Sequence, residues 1–161
     1  MSELAIRPIR RDDDAAVREI IIAVMTELEA TGEGYSDRDP ELAAMAVAYG
    51  VDGAAYLVAE LDGRVVGGGG LGPLAGAGPD VCELRKMYLL PECRGLGIGR
   101  RMLEICLERA RELGYRTCYL ETLAQMDRAR DLYERFGFLP LEAPMGDTGH
   151  FGCNRWYALS L

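Results

Sequence analysis

The chain has 161 residues, 49% of them apolar and 27% charged, which suits one domain with its own core and argues against disorder. Acidic residues outnumber basic ones 26 to 18, a formal net charge of -8, so phosphate backbones are repelled at long range and no nucleic-acid partner is expected. The five cysteines form no CxxC pair and are odd in number, which argues against a disulfide framework or a cysteine-built zinc site and fits a reducing, cytoplasmic compartment. With His150 the single histidine, metal sites and triads built on several histidines are excluded.

Met1 to Leu4 show no charged segment leading into an apolar one, and Ile20 to Met25 is too short to cross a bilayer, so no membrane association is expected. Leu4 to Ile9 reads as a strand. Val17, Ile20, Ile21, Val24, Met25 and Leu28 then recur at helical spacing behind Asp12 to Asp14. Thr31 to Pro40 is turn-rich, and Pro40 to Tyr49 is expected to be a short helix. Ala54 to Glu60 and Arg64 to Leu71 read as strands joined by Asp62-Gly63, a hairpin signal. The run Gly67 to Gly70 inside the second strand points to a bulge or a close backbone approach. Val81 to Leu90 is a further strand in which Cys82 and Leu84 share one parity and Met87 and Leu89 the other. Such a slip fits a β-bulge or a strand buried on both faces.

Ile98 to Leu113 is an amphipathic helix stopped by Gly114. Thr117 to Thr122 reads as a strand. Asp127 is expected to cap a helix striped by Ala129, Leu132, Tyr133 and Phe136 and ended by Gly137. Phe138-Leu139 starts a strand, and Arg155 to Leu161 forms the last one. The order β-α-α-β-β-β-α-β-α-β-β contains one βαβ unit, residues 81–122, whose strands should be parallel.

Between the strand and the helix of that unit lies Arg94-Gly95-Leu96-Gly97-Ile98-Gly99-Arg100. Three alternate glycines let a ligand approach the backbone, and the helix behind them opens with unpaired amides and a positive dipole end. Arg94, Arg100 and Arg101 add positive charge, so the loop suits a pyrophosphate. It is neither a Walker loop, which ends in Gly-Lys-Ser/Thr, nor GxGxxG, since the third glycine comes one residue early.

Glu83-Leu84, Tyr88-Leu89 and Pro91-Glu92, followed by Arg94-Gly95-Leu96-Gly97-Ile98-Gly99, resemble the signature of the GNAT family of N-acetyltransferases, in which Arg94, Gly97 and Gly99 match Arg/Gln-x-x-Gly-x-Gly/Ala. Ala129-Arg130-Asp131-Leu132-Tyr133-Glu134-Arg135-Phe136-Gly137-Phe138 resembles that family's second block. The resemblance implies a single N-acetyltransferase domain over residues 1–161, with an α/β fold of about six or seven strands in a mixed sheet and about four helices. It implies acetyl-CoA as cofactor and an amine of a small molecule or peptide as acceptor, attacked directly in a ternary complex. A homodimer is a usual assembly for such a family. An acyl-CoA sensor without turnover is the other reading of the same fold.

By the same resemblance, Met87, Tyr88 and Leu89 would meet the pantetheine arm, and Arg94, Gly95, Leu96, Gly97, Ile98, Gly99 and Arg100 the pyrophosphate. The strands at 81–90 and 117–122 would part to admit the cofactor. Where the family often has an asparagine, this chain has Met126, with Gln125 beside it as a substitute contact. Tyr133 matches the tyrosine facing the cofactor sulfur and would protonate it, although its spacing alone also fits the core. Glu83 is the first choice of general base, with a surface ion pair to Arg85 as its other reading. Glu121 and His150 are alternatives or substrate contacts, and Tyr35 is a further substrate candidate. Tyr35, Asp37 and Asp39 read either as an acidic, aromatic wall for a cationic amine or, by preference, as a solvated loop; Cys82, Cys106 and Cys118 read as core, and Cys93 as exposed.

Overall fold

The computed structural model describes residues 2–161. Its strands are β1 (Leu4–Pro8), β2 (Ala55–Leu61), β3 (Arg64–Pro73), β4 (Val81–Leu89), β5 (Thr117–Thr122), β6 (Leu139–Leu141) and β7 (Arg155–Ser160). Its helices are α1 (Asp14–Glu27), α2 (Met45–Ala48), α3 (Ile98–Glu112) and α4 (Asp127–Arg135). The seven strands form one sheet in the order β1-β2-β3-β4-β5-β7-β6, with β4 and β5 parallel and every other pair antiparallel.

Alternation along β2 assigns the two faces. Leu57 and Ala59 join the core under α3, with Met102, Leu103, Cys106 and Leu107. Tyr56 and Val58 join the core under α1 and α2, with Val17, Ile21, Met25, Met45 and Tyr49. The predicted stripes of α1 and α3 are thus the buried faces of those helices. The β2–β3 hairpin turns on Asp62 and Gly63, both at positive φ (52° and 80°), as the tight turn between right-twisted strands requires.

Three local expectations are corrected. Pro40 to Tyr49 is not one helix: a 3-10 turn over Pro40–Ala43 gives way to the single turn of α2 because Ala44 (φ -154°, ψ 68°) leaves the helical region. Asp127 is the first residue of α4 rather than its cap, a position held by Met126 without a side-chain bond. Cys93 is only 4% exposed, because the turn Pro91–Cys93 folds it into the α3-side core.

The parity slip in β4 is a bulge. Gly68 pairs with Tyr88 and Gly70 with Arg85, so Lys86 and Met87 stand opposite Gly69 alone. Lys86 lies at φ 48°, uncommon for a side chain other than glycine. The glycine run explains how the bulge is held. The Tyr56 ring lies where side chains at Gly68 and Gly70 would stand, which lets its hydroxyl reach across β3 and donate to the Lys86 carbonyl at 2.8 Å. On the other face, side chains at Gly67 and Gly69 would meet Leu89, Met87 and Met102.

Candidate active site

β4 and β5 pair only from Val81/Thr117 to Glu83/Tyr119. Beyond that point they part, and the β4 edge facing β5 has no strand to pair with. The opening is a cleft of about 760 Å³ lined by Met87, Tyr88 and Leu89 on one side and by Met126, Ala129, Leu132 and Tyr133 on the other. Its mouth is formed by Arg94, Gly95, Gly97, Gly99 and Arg100, with Gln125 opposite. Gly95 and Gly97 both adopt left-handed conformations (φ 78° and 83°), and Gly97 stands at the N-cap of α3. The amides of residues 95–100 find no acceptor among the described residues, the first turn of α3 included. A loop of free amides at a helix N-terminus, joined to a slot between parted strands, fits a pyrophosphate with a long, mostly apolar arm.

Two members of the predicted loop differ from the rest. Leu96 is 62% exposed and Ile98 is 2% exposed within the core, and neither is among the residues that line the cleft. Arg94 donates to both carboxylate oxygens of Glu27 at the end of α1 (2.9 and 2.7 Å) and to the Leu89 carbonyl. Gln125 donates to the Leu28 carbonyl. The end of α1 is therefore tied to both walls of the cleft. Arg128 and Arg135 line the cleft as well, and the sequence reading did not single them out.

At the fork of β4 and β5 lies a polar cluster. Ligand atoms of Glu83, Glu121 and His150 all lie within 4.8 Å of one another. Glu83 is buried, not at the surface; its Oε1 accepts from Arg85 Nε at 2.8 Å. Burial pushes its carboxyl above the ordinary range, and Glu121 adds to the rise while Arg85 opposes it. Glu121 accepts hydrogen bonds from the Tyr119 hydroxyl at 2.6 Å and from Thr148, and it lines the inner end of the cleft with Tyr133 and Cys153.

Asp39 is not part of a solvated loop. Its carboxylate meets His150 Nε2 at 2.9 Å and Lys86 Nζ at 2.5 Å, and Lys86 also reaches Glu41 at 3.2 Å. The Lys86 side chain is 2% exposed, so these carboxylates supply the partners that a buried amine needs. Burial acts to raise Asp39, but His150 and Lys86 outweigh it and hold the carboxyl below its usual value. The bond to Asp39 raises His150 above its ordinary 6.5. Asp37 instead accepts from the Gly32 amide and shapes the turn. Tyr35 packs against Gly152 beside this cluster. Sequence reasoning missed Lys86 and Tyr119, while the ion pair it offered between Glu83 and Arg85 is present, with its carboxylate buried; the bulge signal at residues 84–87 was the clue available for Lys86.

Tyr133 is buried and lines both the cleft and its inner end, with Phe138 and Tyr157 packed edge-on or tilted against its ring. Burial raises its phenol well above 10, so it carries its proton across the physiological range.

The sequence model of the Acetyltransferase (GNAT) family matches residues 19–138, about three-quarters of the chain. The chain belongs to that family. It is 42% identical over 148 residues to the Escherichia coli (strain K12) protein named "Uncharacterized N-acetyltransferase YjgM", covering 91% of this chain and 89% of that one. A GNAT-family acetyltransferase from Staphylococcus aureus Mu50 superposes with a TM-score of 0.86 at 22% identity, over 98% and 99% of the two chains. The yncA acetyltransferase of Salmonella typhimurium, solved with its cofactor acetyl-CoA, superposes with a TM-score of 0.77 at 27% identity, over 98% and 94%. The chain is an N-acetyltransferase with the GNAT fold, and acetyl-CoA is its acyl donor. No helix of the described residues is long and apolar enough to cross a membrane.

Proposed function

We propose that this acetyltransferase acetylates the amine of a small molecule or peptide by direct attack in a ternary complex, with Glu83 as general base and Tyr133 as general acid. Acetyl-CoA, when bound, supplies an acyl thioester whose carbon gains the bond to the amine nitrogen as its bond to sulfur breaks. The remaining chemistry is proton movement, and the cluster is suited to it. An alkyl ammonium has a pKa near about 10 and must lose a proton before it attacks. Glu83 Oε1 is engaged by Arg85, which leaves Oε2 to accept that proton, and a carboxyl raised by burial is a better base near neutrality. Tyr133, whose phenol retains its proton, donates from its hydroxyl to the departing sulfur.

The observation that carries this reading is the position of a buried, raised carboxyl where β4 and β5 begin to part, with a protonated phenol on the cleft wall beyond it. Met87, Tyr88, Leu89, Gln125 and the 94–100 loop hold the cofactor. Glu121, His150 and Tyr35 border the acceptor. The participation of all seven strands in one sheet supports a single domain over residues 1–161, and the free cysteines support work in the cytoplasm. A homodimer is the proposed assembly.

The test is a pair of variants assayed over pH with a panel of amines. Glu83→Gln should lose about 10²–10⁴ in kcat and flatten the acidic limb of the profile, and Tyr133→Phe should lose a similar factor while binding acetyl-CoA unchanged. If Glu83→Gln keeps both its rate and its acidic limb, the base is Glu121 or His150. If neither the wild type nor Tyr133→Phe turns over any amine while both bind tightly, the sensor reading replaces this one.

A further inference from the structure

The bulge in β4 is held from outside its own strand. Lys86 and Met87 have no one-to-one register partner on β3 and none on β5, so neither ladder decides how the peptide between them is turned. Lys86 stands at φ 48°, and a residue with a side chain persists there only where its surroundings over-determine it. Two sets of contacts do so. Asp39 and Glu41 hold the buried Lys86 ammonium, and the Tyr56 hydroxyl donates to the Lys86 carbonyl at 2.8 Å.

The Tyr56 bond spans three strands. Tyr56 lies on β2, where its own register partner is Gly70 of β3, and its ring continues over β3 to reach β4. A Cβ at Gly68 or Gly70 would stand 2.6 or 2.5 Å from its ring carbons. Glycine weakens a strand interior, so these two positions bear a cost that the contact offsets. Tyr56 is 3% exposed and packs on Tyr49 with ring centroids 5.2 Å apart. Burial keeps its phenol protonated, so the hydroxyl is a constant donor. A planar trans peptide points its N–H opposite to its carbonyl. The bond that orients the Lys86 carbonyl therefore orients the Met87 amide as well. Met87 lines the cleft and its inner end, there beside Tyr133. Tyr56 itself is not among the residues lining either.

We propose, resting on the placement of the thioester beside Tyr133, that Tyr56 is a positioning residue for acyl transfer: through the Lys86–Met87 peptide its hydroxyl aims the Met87 amide at the acyl carbonyl oxygen. That oxygen gains negative charge as the amine adds, and a donor already aimed at it needs no reorganisation at that moment. Tyr56 thus acts on the reaction from two strands away, without touching substrate or cofactor. Without the hydroxyl, the bulge keeps its Lys86 ion pairs but the peptide between residues 86 and 87 is free to turn.

The experiment compares Tyr56→Phe with the wild type by infrared spectroscopy of bound acetyl-CoA carrying a ¹³C-labelled acyl carbonyl, with kcat and KM from the amine panel beside it. Tyr49→Phe is the matched control, because that buried ring packs on the same one and its hydroxyl has no partner among the described residues. Donation to a carbonyl lowers its stretching frequency, so the band should lie below that of free acetyl-CoA in the wild type and rise in Tyr56→Phe. The same variant should lose kcat on the order of tenfold to a hundredfold with KM for acetyl-CoA unchanged. Tyr49→Phe should match the wild type in both readouts. A wild-type band position kept by Tyr56→Phe overturns the proposal. So do equal changes in the two variants, which would assign the effect to core packing. A Tyr56→Phe that melts out beside a folded Tyr49→Phe overturns it too, since the hydroxyl would then serve the fold alone. The spectrum needs no acceptor, so it stands apart from the roles of Glu83 and Tyr133; a wild-type band no lower than that of free acetyl-CoA would instead overturn the placement of the thioester at this peptide.

Discussion

His150 shows how one side chain can be legible in a sequence while its role is not. As the single histidine it stands out, but its spacing says nothing about Asp39, 111 residues away, which meets Nε2 at 2.9 Å. Nδ1 faces Glu121 Oε1 at 4.0 Å, and Lys86, Glu83 and Cys153 lie around the same cluster. A ring with carboxylates at both nitrogens is stabilised as imidazolium, which suits an electrostatic or positioning role better than that of a base. A group whose folded pKa is raised stabilises the fold fully below the unfolded value of 6.5, and that stability fades as pH rises through the folded pKa. One imidazole per chain makes this directly observable by NMR titration. The ring should titrate above 6.5 in the wild type and move down toward it in Asp39→Asn. A wild-type titration at or below 6.5 would refute the Asp39 pairing. Lys86 was beyond sequence reading for a related reason, since a lysine in a strand usually faces water, and only the bulge turns this one inward.

At the scale of elements, what could be read was what has local cause. The hairpin at Asp62-Gly63, the stripes of α1 and α3 and the parity slip in β4 each follow from spacing or from φ preferences within a few residues. The failures also have causes. Ala44 breaks the Pro40–Tyr49 helix although alanine favours helix, because local propensity is a weak prior against packing, and Asp14 Oδ1 captures the Ala46 amide from another element. The use of four consecutive glycines became clear only once Tyr56 was seen lying across them, a relation between three strands. Another long-range tie joins the first elements. Arg7 on β1 binds both oxygens of Asp13, before α1, and Glu60 on β2. The bond to Arg7 holds the Asp13 carboxyl below its ordinary 3.8. A depressed carboxyl stabilises the fold above its unfolded pKa, and that stability is lost as pH falls from about 4 through the folded value. Asp13→Asn should therefore cost about 2 kcal/mol at pH 7, a Tm drop of about 4–8 °C, with the gap from wild type closing on acidification below about pH 4. Thermal melts of both proteins at pH 7 and pH 3 check this; an equal gap at the two values would remove the charged state of Asp13 from the account.

For the whole molecule, the sheet is continuous but held unevenly. β4 and β5 share only three register pairs, and beyond them the two halves are joined across the cleft by side-chain links from the end of α1, Glu27 to Arg94 and Leu28 to Gln125. The Glu27–Arg94 pair is partly exposed, so it adds at most about 1 kcal/mol. The cleft is therefore where a ligand binding both walls does most for the fold. A ligand bound only to the native state stabilises it by about 2.7 kcal/mol at a hundredfold excess over Kd. For a chain of this length that corresponds to a Tm rise of about 5–10 °C. Two features make the prediction specific to this cleft. Gly97 sits at φ 83°, a conformation closed to proline, so Gly97→Pro distorts the amide loop at the mouth while leaving the cores under α1 and α3 untouched. Arg94→Ala removes the guanidinium at the same mouth. Differential scanning fluorimetry with acetyl-CoA should show the full rise in the wild type, little in Arg94→Ala/Gly97→Pro, and a smaller wild-type rise as salt screens the phosphate contacts. A rise of the same size in wild type and double variant, insensitive to salt, would mean that stabilisation comes from elsewhere on the surface and that the loop of free amides is not where the cofactor is held.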